Sequence, residues 1–284
     1  MAPGEEHRLL GRSASALDRG AGGAWGRLAE LCRAPLASRF GRLLLEFDTD
    51  RPDAGVDEPS LYVEPRPHPS RDDSDRLDWV LDEALPILLG GDLSRERAGR
   101  IAAAISDLPP DAVLISFGVM VARSSDSVRL YVKELAPAGV LAWLERIAWP
   151  GPRAPLERLM DDLGPLVRSF GLGVEFGDAV SPRIGLECYR RSSDWASFLD
   201  RLVELGLSTA EKRAGSLSWP GIDREPSGDA PWPEHLARAS GFLGARARAF
   251  LERSLILVKI VLGSRGAIGA KMYYWAAYGW EESG

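Results

Sequence analysis

The residues with the clearest chemical potential are the few lysines of an arginine-rich chain. The 284 residues contain 35 lysines and arginines, and the only lysines are Lys133, Lys212, Lys259 and Lys271. Three of them lie where polar and apolar residues alternate, in VRLYVKEL, LILVKIVL and GAKMYYWA. Lysines and arginines donate charge-assisted hydrogen bonds, so a cluster of them suits an anionic ligand such as a diphosphate.

Alternation of this kind predicts β-strands with one apolar and one polar face. The polar positions are Arg42, Glu46, Arg129, Tyr131, Lys133, Arg183, Glu187, Tyr189, Lys259, Lys271 and Tyr273. Helices must cover the apolar faces, which leaves the polar faces either in solvent, as in an open antiparallel sheet, or inside a closed barrel. In a barrel these side chains would form one cationic chamber within an acidic protein.

The elements that would position these residues recur as a hairpin followed by two helices, roughly four times. Helices are predicted over Ala24–Ser38, Ser74–Leu89, Ser94–Ile105, Gly139–Ala148, Pro155–Ser169, Asp194–Leu205, Ser208–Ser216 and Pro233–Phe250. Repeated units favour closure, because a barrel has no unpaired edge. We therefore expect an α+β fold, a closed antiparallel β-barrel with its helices outside. Residues 1–20 are expected to be a flexible tail, and residues 21–284 a single domain.

Composition narrows the classes of function. A net charge of −6 argues against a broad nucleic-acid surface, and no apolar run is long enough to span a membrane. Cys32 and Cys188 provide neither a disulfide framework nor a zinc site, and the absence of a signal pattern predicts a cytoplasmic protein. His7, His68 and His235 assemble no catalytic triad or metal site, so a hydrolase or metalloenzyme is disfavoured.

Several short segments resemble one enzyme family. LLEFDTD followed by SLYVEP is similar to the glutamate strand and its neighbour in indole prenyltransferases, and VRLYVKEL is similar to a diphosphate-binding strand. KIVLGSRGAIGAKMYYWAAY is similar to the closing hairpin, with Lys271 and Tyr273 in the Lys-x-Tyr arrangement. The chain thus resembles the aromatic prenyltransferases of the ABBA, or PT-barrel, type. Its length fits the compact bacterial members, including those that modify ribosomal peptides.

The resemblance implies a barrel of repeated α-α-β-β units that transfers an allylic group from a prenyl diphosphate, such as dimethylallyl diphosphate. The acceptor would be a Tyr or Trp side chain of a peptide, or a small indole or phenol. Glu46 would bind the acceptor and take its proton. The diphosphate would be bound by Arg129, Lys133, Arg183, Lys259 and Lys271. The allylic cation would be shielded, and the phosphate contacted, by Tyr131, Tyr189 and Tyr273.

The same resemblance implies no metal site and no tightly bound cofactor, with Mg²⁺ as a companion of the diphosphate. The partners would be the prenyl diphosphate and an aromatic or peptide acceptor, with no nucleic acid and no membrane. Two alternatives stay open: a non-catalytic barrel that binds a peptide or anionic ligand during natural-product maturation, and an open two-layer α+β protein. For Glu46 the alternative is an exposed carboxylate or a structural partner of Arg42.

Overall fold

A computed structural model describes residues 23–47, 59–66, 78–121, 126–190, 195–226, 232–244 and 246–282. The predicted tail over residues 1–20 lies outside this part, as do His7, His68 and the first four residues of the helix predicted over Ser74–Leu89.

The described residues form eight α-helices and nine β-strands. The helices are α1 (Gly23–Arg33), α2 (Leu85–Leu89), α3 (Arg95–Ser106), α4 (Pro137–Arg146), α5 (Arg153–Leu163), α6 (Ala196–Glu204), α7 (Ala210–Ser218) and α8 (Glu234–Leu243). The strands are β1 (Phe40–Glu46), β2 (Ser60–Pro65), β3 (Val113–Val119), β4 (Val128–Leu135), β5 (Val167–Phe176), β6 (Val180–Arg190), β7 (Gly221–Arg224), β8 (Ala247–Gly263) and β9 (Gly266–Glu282). Pairs of helices precede the hairpins β3–β4 and β5–β6, as predicted, whereas β7 and α8 follow the pair α6 and α7 before the last hairpin, β8–β9.

All nine strands belong to one antiparallel sheet, and the α+β class is therefore confirmed. The order is β1-β2-β3-β4-β5-β6-β8-β7, and β9 pairs with the other edge of β8. Strand β8 is 17 residues long, which lets β6 pair with its second half and β7 with its first half. Among the described residues no backbone pairing joins β1 to β9, so the sheet has two edges and is not closed.

The sheet is nevertheless strongly curved. Seven steps between adjacent strands lead from β1 to β9. In a flat sheet these two strands would therefore be roughly 34 Å apart. Yet Glu46 of β1 and Tyr273 of β9 line the same cavity. The strands therefore curl around a common concave face, and that face carries the polar residues.

The apolar face of the sheet packs against the helices. In β4, Val128, Leu130 and Val132 are buried while the residues between them are only half-buried. Helix α5 contributes Leu156, Leu159, Met160 and Leu163, spaced i, i+3, i+4 and i+7 along one buried face. Full burial of each such side chain contributes about 1.5–3 kcal/mol, so these contacts hold the helices on the convex side of the sheet.

Both described cysteines are buried and free. Cys188 lies in β6 among core residues, as the sequence predicts from its position on the same strand face as Ile184 and Leu186. Burial raises the pKa of its thiol well above the ordinary value, so this thiol packs as an apolar group.

Three predicted helices are too long. The helix predicted over Ala24–Ser38 ends at Arg33, before Pro35, and a 3₁₀ turn over Pro35–Arg39 follows it. The other two end ahead of a strand. The helix predicted to Ser169 ends at Leu163, because Val167 and Ser169 pair with Arg190 and Tyr189 of β6. The helix predicted to Phe250 ends at Leu243, where Gly244 has φ 122°, and the chain then enters β8. In both places pairing with a distant strand overrides a local helical pattern.

Two further local features differ from the prediction. The segment between the helices predicted over Ser208–Ser216 and Pro233–Phe250, for which the sequence predicts a loop rich in proline, glycine and acidic residues, contains β7, whose four residues pair with β8. The helix before Gly90 holds a π-helical turn over Val80–Ala84 followed by α2, which begins beside Pro86 and ends where Gly90 has φ 71°. Within the described part, no helix combines the length and the apolar character needed to span a membrane.

Candidate functional site

A polar cavity occupies the concave face of the sheet. Its volume is about 40 Å³, or about 430 Å³ of empty space when the open solvent at its mouth is included, and residues of β1, β4, β5, β6, β8 and β9 line it. Seven of the nine predicted site residues are among them: Glu46, Arg129, Tyr131, Arg183, Lys259, Lys271 and Tyr273. The structure thus brings together in one place residues that are up to 227 positions apart in the sequence.

Lys259 is the buried cation of the cavity. Its Nζ lies 3.0 Å from Oε1 of Glu187 and donates a hydrogen bond of 3.2 Å to Oη of Tyr131. The same Nζ lies 4.4 Å from the centre of the Tyr131 ring and 5.1 Å from that of Tyr273. Burial by itself lowers the pKa of Lys259, but the interactions with Tyr131 and Glu187 outweigh it, and the pKa is raised. The ammonium is therefore a permanent, fixed charge.

The raised pKa of Lys259 predicts how stability depends on pH. A group whose pKa is higher in the folded protein contributes its full stability below its ordinary value of 10.5, and loses it as the pH rises through the raised pKa. We expect the difference in unfolding free energy between wild type and Lys259→Met to be constant from about pH 7 to about pH 9 and to shrink above that ordinary value. Urea unfolding of both proteins across this range measures it, and a difference that already falls between pH 7 and 9 would contradict a raised pKa.

Arg129 connects two walls of the cavity. Its guanidinium pairs with the carboxylate of Glu175 in the neighbouring strand β5, and its Nη1 donates to Oη of Tyr131 at 3.0 Å and of Tyr62 at 3.4 Å. The Arg129 side chain is only 12% exposed. Burial lowers its pKa, but Tyr131, Tyr62 and Glu175 raise it by more, and the net shift is upward. This charge, like that of Lys259, is already balanced by a carboxylate.

Glu46 lines the cavity from strand β1 and accepts a hydrogen bond from Tyr62. The distance from Tyr62 Oη to Glu46 Oε2 is 2.9 Å. Burial, followed by the neighbouring Tyr131 and Glu46, raises the pKa of Tyr62, so this phenol keeps its proton and donates. The alternative that Glu46 pairs with Arg42 is wrong, because the guanidinium of Arg42 pairs with Glu64 at 2.9 Å.

Arg183 and Lys271 provide the uncompensated positive charge of the cavity. Both side chains are exposed, and both line its wall beside Lys259. With the described residues neither of them forms an ion pair, in contrast to Arg129 and Lys259. An anion entering the cavity would meet these two cations without displacing a carboxylate.

Lys133 and Tyr189 are the two predicted site residues that do not line the cavity. Lys133 is four residues beyond Arg129 in β4, roughly 13 Å along the strand, and its Nζ lies 5.4 Å from the centre of the Tyr189 ring. The hydroxyl of Tyr189 donates to Glu187 at 2.8 Å, and burial together with Glu187 raises its pKa. Tyr189 therefore positions the carboxylate that holds Lys259, and Lys133 packs behind it.

Six residues of the site were not predicted from the sequence as site residues, and two of them, Ile184 and Val261, are apolar residues of its wall. Tyr62 and Glu175 bind Arg129, and Gly173 and Gly185 provide space. A Cβ on Gly173 would lie 2.9 Å from Cε1 of Tyr131, and one on Gly185 would lie 2.8 Å from Cδ of Lys259. The signal for Glu175 was available, because Gly173-x-Glu175 has the period of two that puts both on one face of a strand.

The residues at hand do not form a metal site. Within the described ranges no three His, Cys, Asp or Glu side chains lie close enough together to hold a metal ion. The carboxylates that line the cavity, those of Glu46 and Glu175, already accept a hydrogen bond from Tyr62 and an ion pair from Arg129.

Comparison of the chain with protein-family models, with curated proteins and with solved structures gave no match.

Proposed function

We propose that the protein is an aromatic prenyltransferase of the PT-barrel type, which transfers an allylic group from a prenyl diphosphate to an aromatic or peptide acceptor. The curled sheet would then be the wall of a barrel-type reaction chamber. One observation carries the proposal: a single cavity is lined by two carboxylates, two tyrosines and four cations, of which Arg183 and Lys271 have no ion pair among the described residues, and these side chains come from strands as distant as β1 and β9.

The charges of the cavity suggest which cations bind the diphosphate. Arg183 and Lys271 are free of carboxylates among the described residues, so they gain most from an entering phosphate. Lys259 and Arg129 are neutralised by Glu187 and Glu175 and would instead fix the tyrosines. The proposal therefore assigns the leaving group to Arg183 and Lys271, a narrower set than the five cations that the resemblance implies.

The proposed reaction is an electrophilic substitution. The bond between the allylic carbon and the phosphate oxygen breaks, and its electron pair leaves with the diphosphate, whose growing charge Arg183 and Lys271 stabilise. An electron pair of the acceptor then forms the new bond to the allylic carbon. The proton displaced from the acceptor goes to Glu46. Tyr131 and Tyr273 line the cavity, and in this proposal their rings would stabilise the carbocation.

Magnesium has no dedicated place in this proposal. Because the carboxylates of the cavity are already engaged, they do not fit as a magnesium site, and any Mg²⁺ would arrive bound to the diphosphate. The positive charge needed for departure of the leaving group comes from the side chains of the protein.

The direct experiment is to incubate the protein with dimethylallyl diphosphate and peptides containing Tyr or Trp, and to follow the peptides by mass spectrometry. We expect a gain of one dimethylallyl unit. Binding of several prenyl diphosphates without any transfer would overturn the enzyme proposal and favour a non-catalytic barrel.

Replacement of Glu46 by glutamine tests the acceptor side. Glutamine can still accept the hydrogen bond of Tyr62, so the fold is retained, but it cannot take a proton. We expect the transfer rate of Glu46→Gln to fall by about 10²–10⁴-fold. The matched control is Glu64→Gln, which removes a carboxylate of β2 that pairs with Arg42 and does not line the cavity. Equal rates for the two variants would show that Glu46 has no such role.

A further inference from the structure

A second groove adjoins the polar cavity and shares part of its wall. Arg183, Val261 and Lys271 line both spaces. The far side of the groove is formed by the connection from α6 to α7, by the first turn of α7 and by β9 near Ile268. The connection is tied to the sheet, because the backbone N–H of Ala270 donates to the carbonyl of Leu207 at 2.9 Å. The volume of the groove is about 360 Å³.

Three cations line the groove. They are Arg183, Lys271 and Lys212 of α7, and within the described ranges no aspartate or glutamate lines it. Two of the four lysines of a chain with a net charge of −6 are thus directed to one place. Lys212 Nζ donates to the carbonyl of Ala270 at 2.6 Å, which leaves two of its three donors for a ligand.

A neutral donor supports the same conclusion. The residue Ser208 lines the groove, and its hydroxyl oxygen lies buried beneath the groove surface without a hydrogen-bond partner in the described part of the chain. A buried hydroxyl without a partner costs free energy, which an entering acceptor atom would recover. Helix α7 also begins here, capped by Thr209, and its N-terminal end favours negative charge.

The apolar part of the groove indicates an organic anion. Val261, Leu207 and Ile268 lie among the cations, and the side chain of Ile268 is 66% exposed. A small inorganic anion would leave this apolar surface uncovered, whereas a carboxylate on an organic skeleton would cover it. Because Arg183, Val261 and Lys271 line both spaces, a molecule bound in the groove would lie directly beside the cavity.

We propose that this groove binds a carboxylate of the acceptor, with Lys212 and Ser208 as the groove's own donors. The carboxylate would be a C-terminus or an acidic side chain close to the aromatic ring that enters the cavity. Only the identification of the bound molecule as the acceptor rests on the proposed function. Recognition of the organic carboxylate is a property of the groove itself.

The test uses the full chain and two probes, indole-3-propionate and its uncharged amide, with binding measured by isothermal titration calorimetry in the absence of a prenyl donor. We expect the acid to bind about 10-fold or more tightly than the amide. Lys212→Met should reduce that preference to about 2-fold or less, and Lys212→Arg should retain it. The control is Arg213→Met on the same helix, because Arg213 pairs with Asp200 and does not line the groove.

Equal binding of acid and amide would overturn the proposal, as would a preference that survives Lys212→Met, or no binding of either probe up to about 10 mM. Binding of inorganic diphosphate distinguishes a phosphate site from a carboxylate site. If Lys212→Met weakens the binding of diphosphate but not that of the acid, the groove is a phosphate site and the proposal is wrong. If the protein prefers the carboxylate but transfers no prenyl group, only the proposed prenyltransferase function is wrong. If it transfers a prenyl group but shows no such preference, only the proposal that the groove binds a carboxylate is wrong.

Discussion

Replacement of Lys259 by methionine is expected to lower the free energy of unfolding by about 3–5 kcal/mol. The side chains of Lys259 and Glu187 are 9% and 10% exposed, so loss of the ammonium leaves a carboxylate buried without its counter-ion. The hydrogen bond from Lys259 to Tyr131 is lost as well. Urea unfolding near neutral pH, followed by circular dichroism, measures the change.

The double variant Lys259→Met with Glu187→Gln distinguishes the lost pair from lost packing. With both charges removed, and an amide oxygen still available to Tyr189, we expect more than half of the lost stability to return. If Lys259→Met alone costs less than about 1 kcal/mol, the pair behaves like an exposed salt bridge, and the description of Lys259 as a buried charge held by Glu187 is wrong.

The second large effect concerns the uncompensated cations. We expect Lys271→Ala and Arg183→Ala each to lower the rate of prenyl transfer by about 10²–10³-fold, because each removes a charge positioned at the leaving diphosphate. Both side chains are exposed, so the free energy of unfolding should change by no more than about 0.5 kcal/mol. Kinetics with dimethylallyl diphosphate, paired with urea unfolding, separate these two effects.

Arg158→Gln is the matched control, because Arg158 is an exposed arginine on the outer helix α5 and does not line the cavity. Its transfer rate should stay within about 2-fold of wild type, since a distant surface charge is screened. Should Lys271→Ala and Arg183→Ala behave like this control, the diphosphate does not bind between them.

The strands and their polar faces were predictable because local alternation decides them. In β4, the positions of Val128, Leu130 and Val132 relative to Arg129 and Tyr131 follow from the period of two alone. The gathering of seven predicted residues in one cavity followed from the additional argument that helices cover the apolar faces. Residues on one face of a strand point to the same side wherever that strand lies in the sheet.

The pairing of charges was not predictable, because it depends on the register between strands. Arg129 meets Glu175 because β4 and β5 pair these two positions directly, and Lys259 meets Glu187 by the same rule between β8 and β6. No local pattern specifies either register. Lys133 lies outside the cavity because it is too far along the strand. Alternation predicts the face of the sheet on which a residue lies, but not which residues of that face surround the cavity.

The most direct measurement is a crystal structure of the protein with dimethylallyl S-thiolodiphosphate, which keeps the geometry of the donor but resists cleavage. Our account predicts that the diphosphate lies between Arg183 and Lys271, with the allylic chain between Tyr131 and Tyr273 and directed at Glu46. Binding of the analogue on the convex, helix-covered side, or no binding at all, would contradict the account.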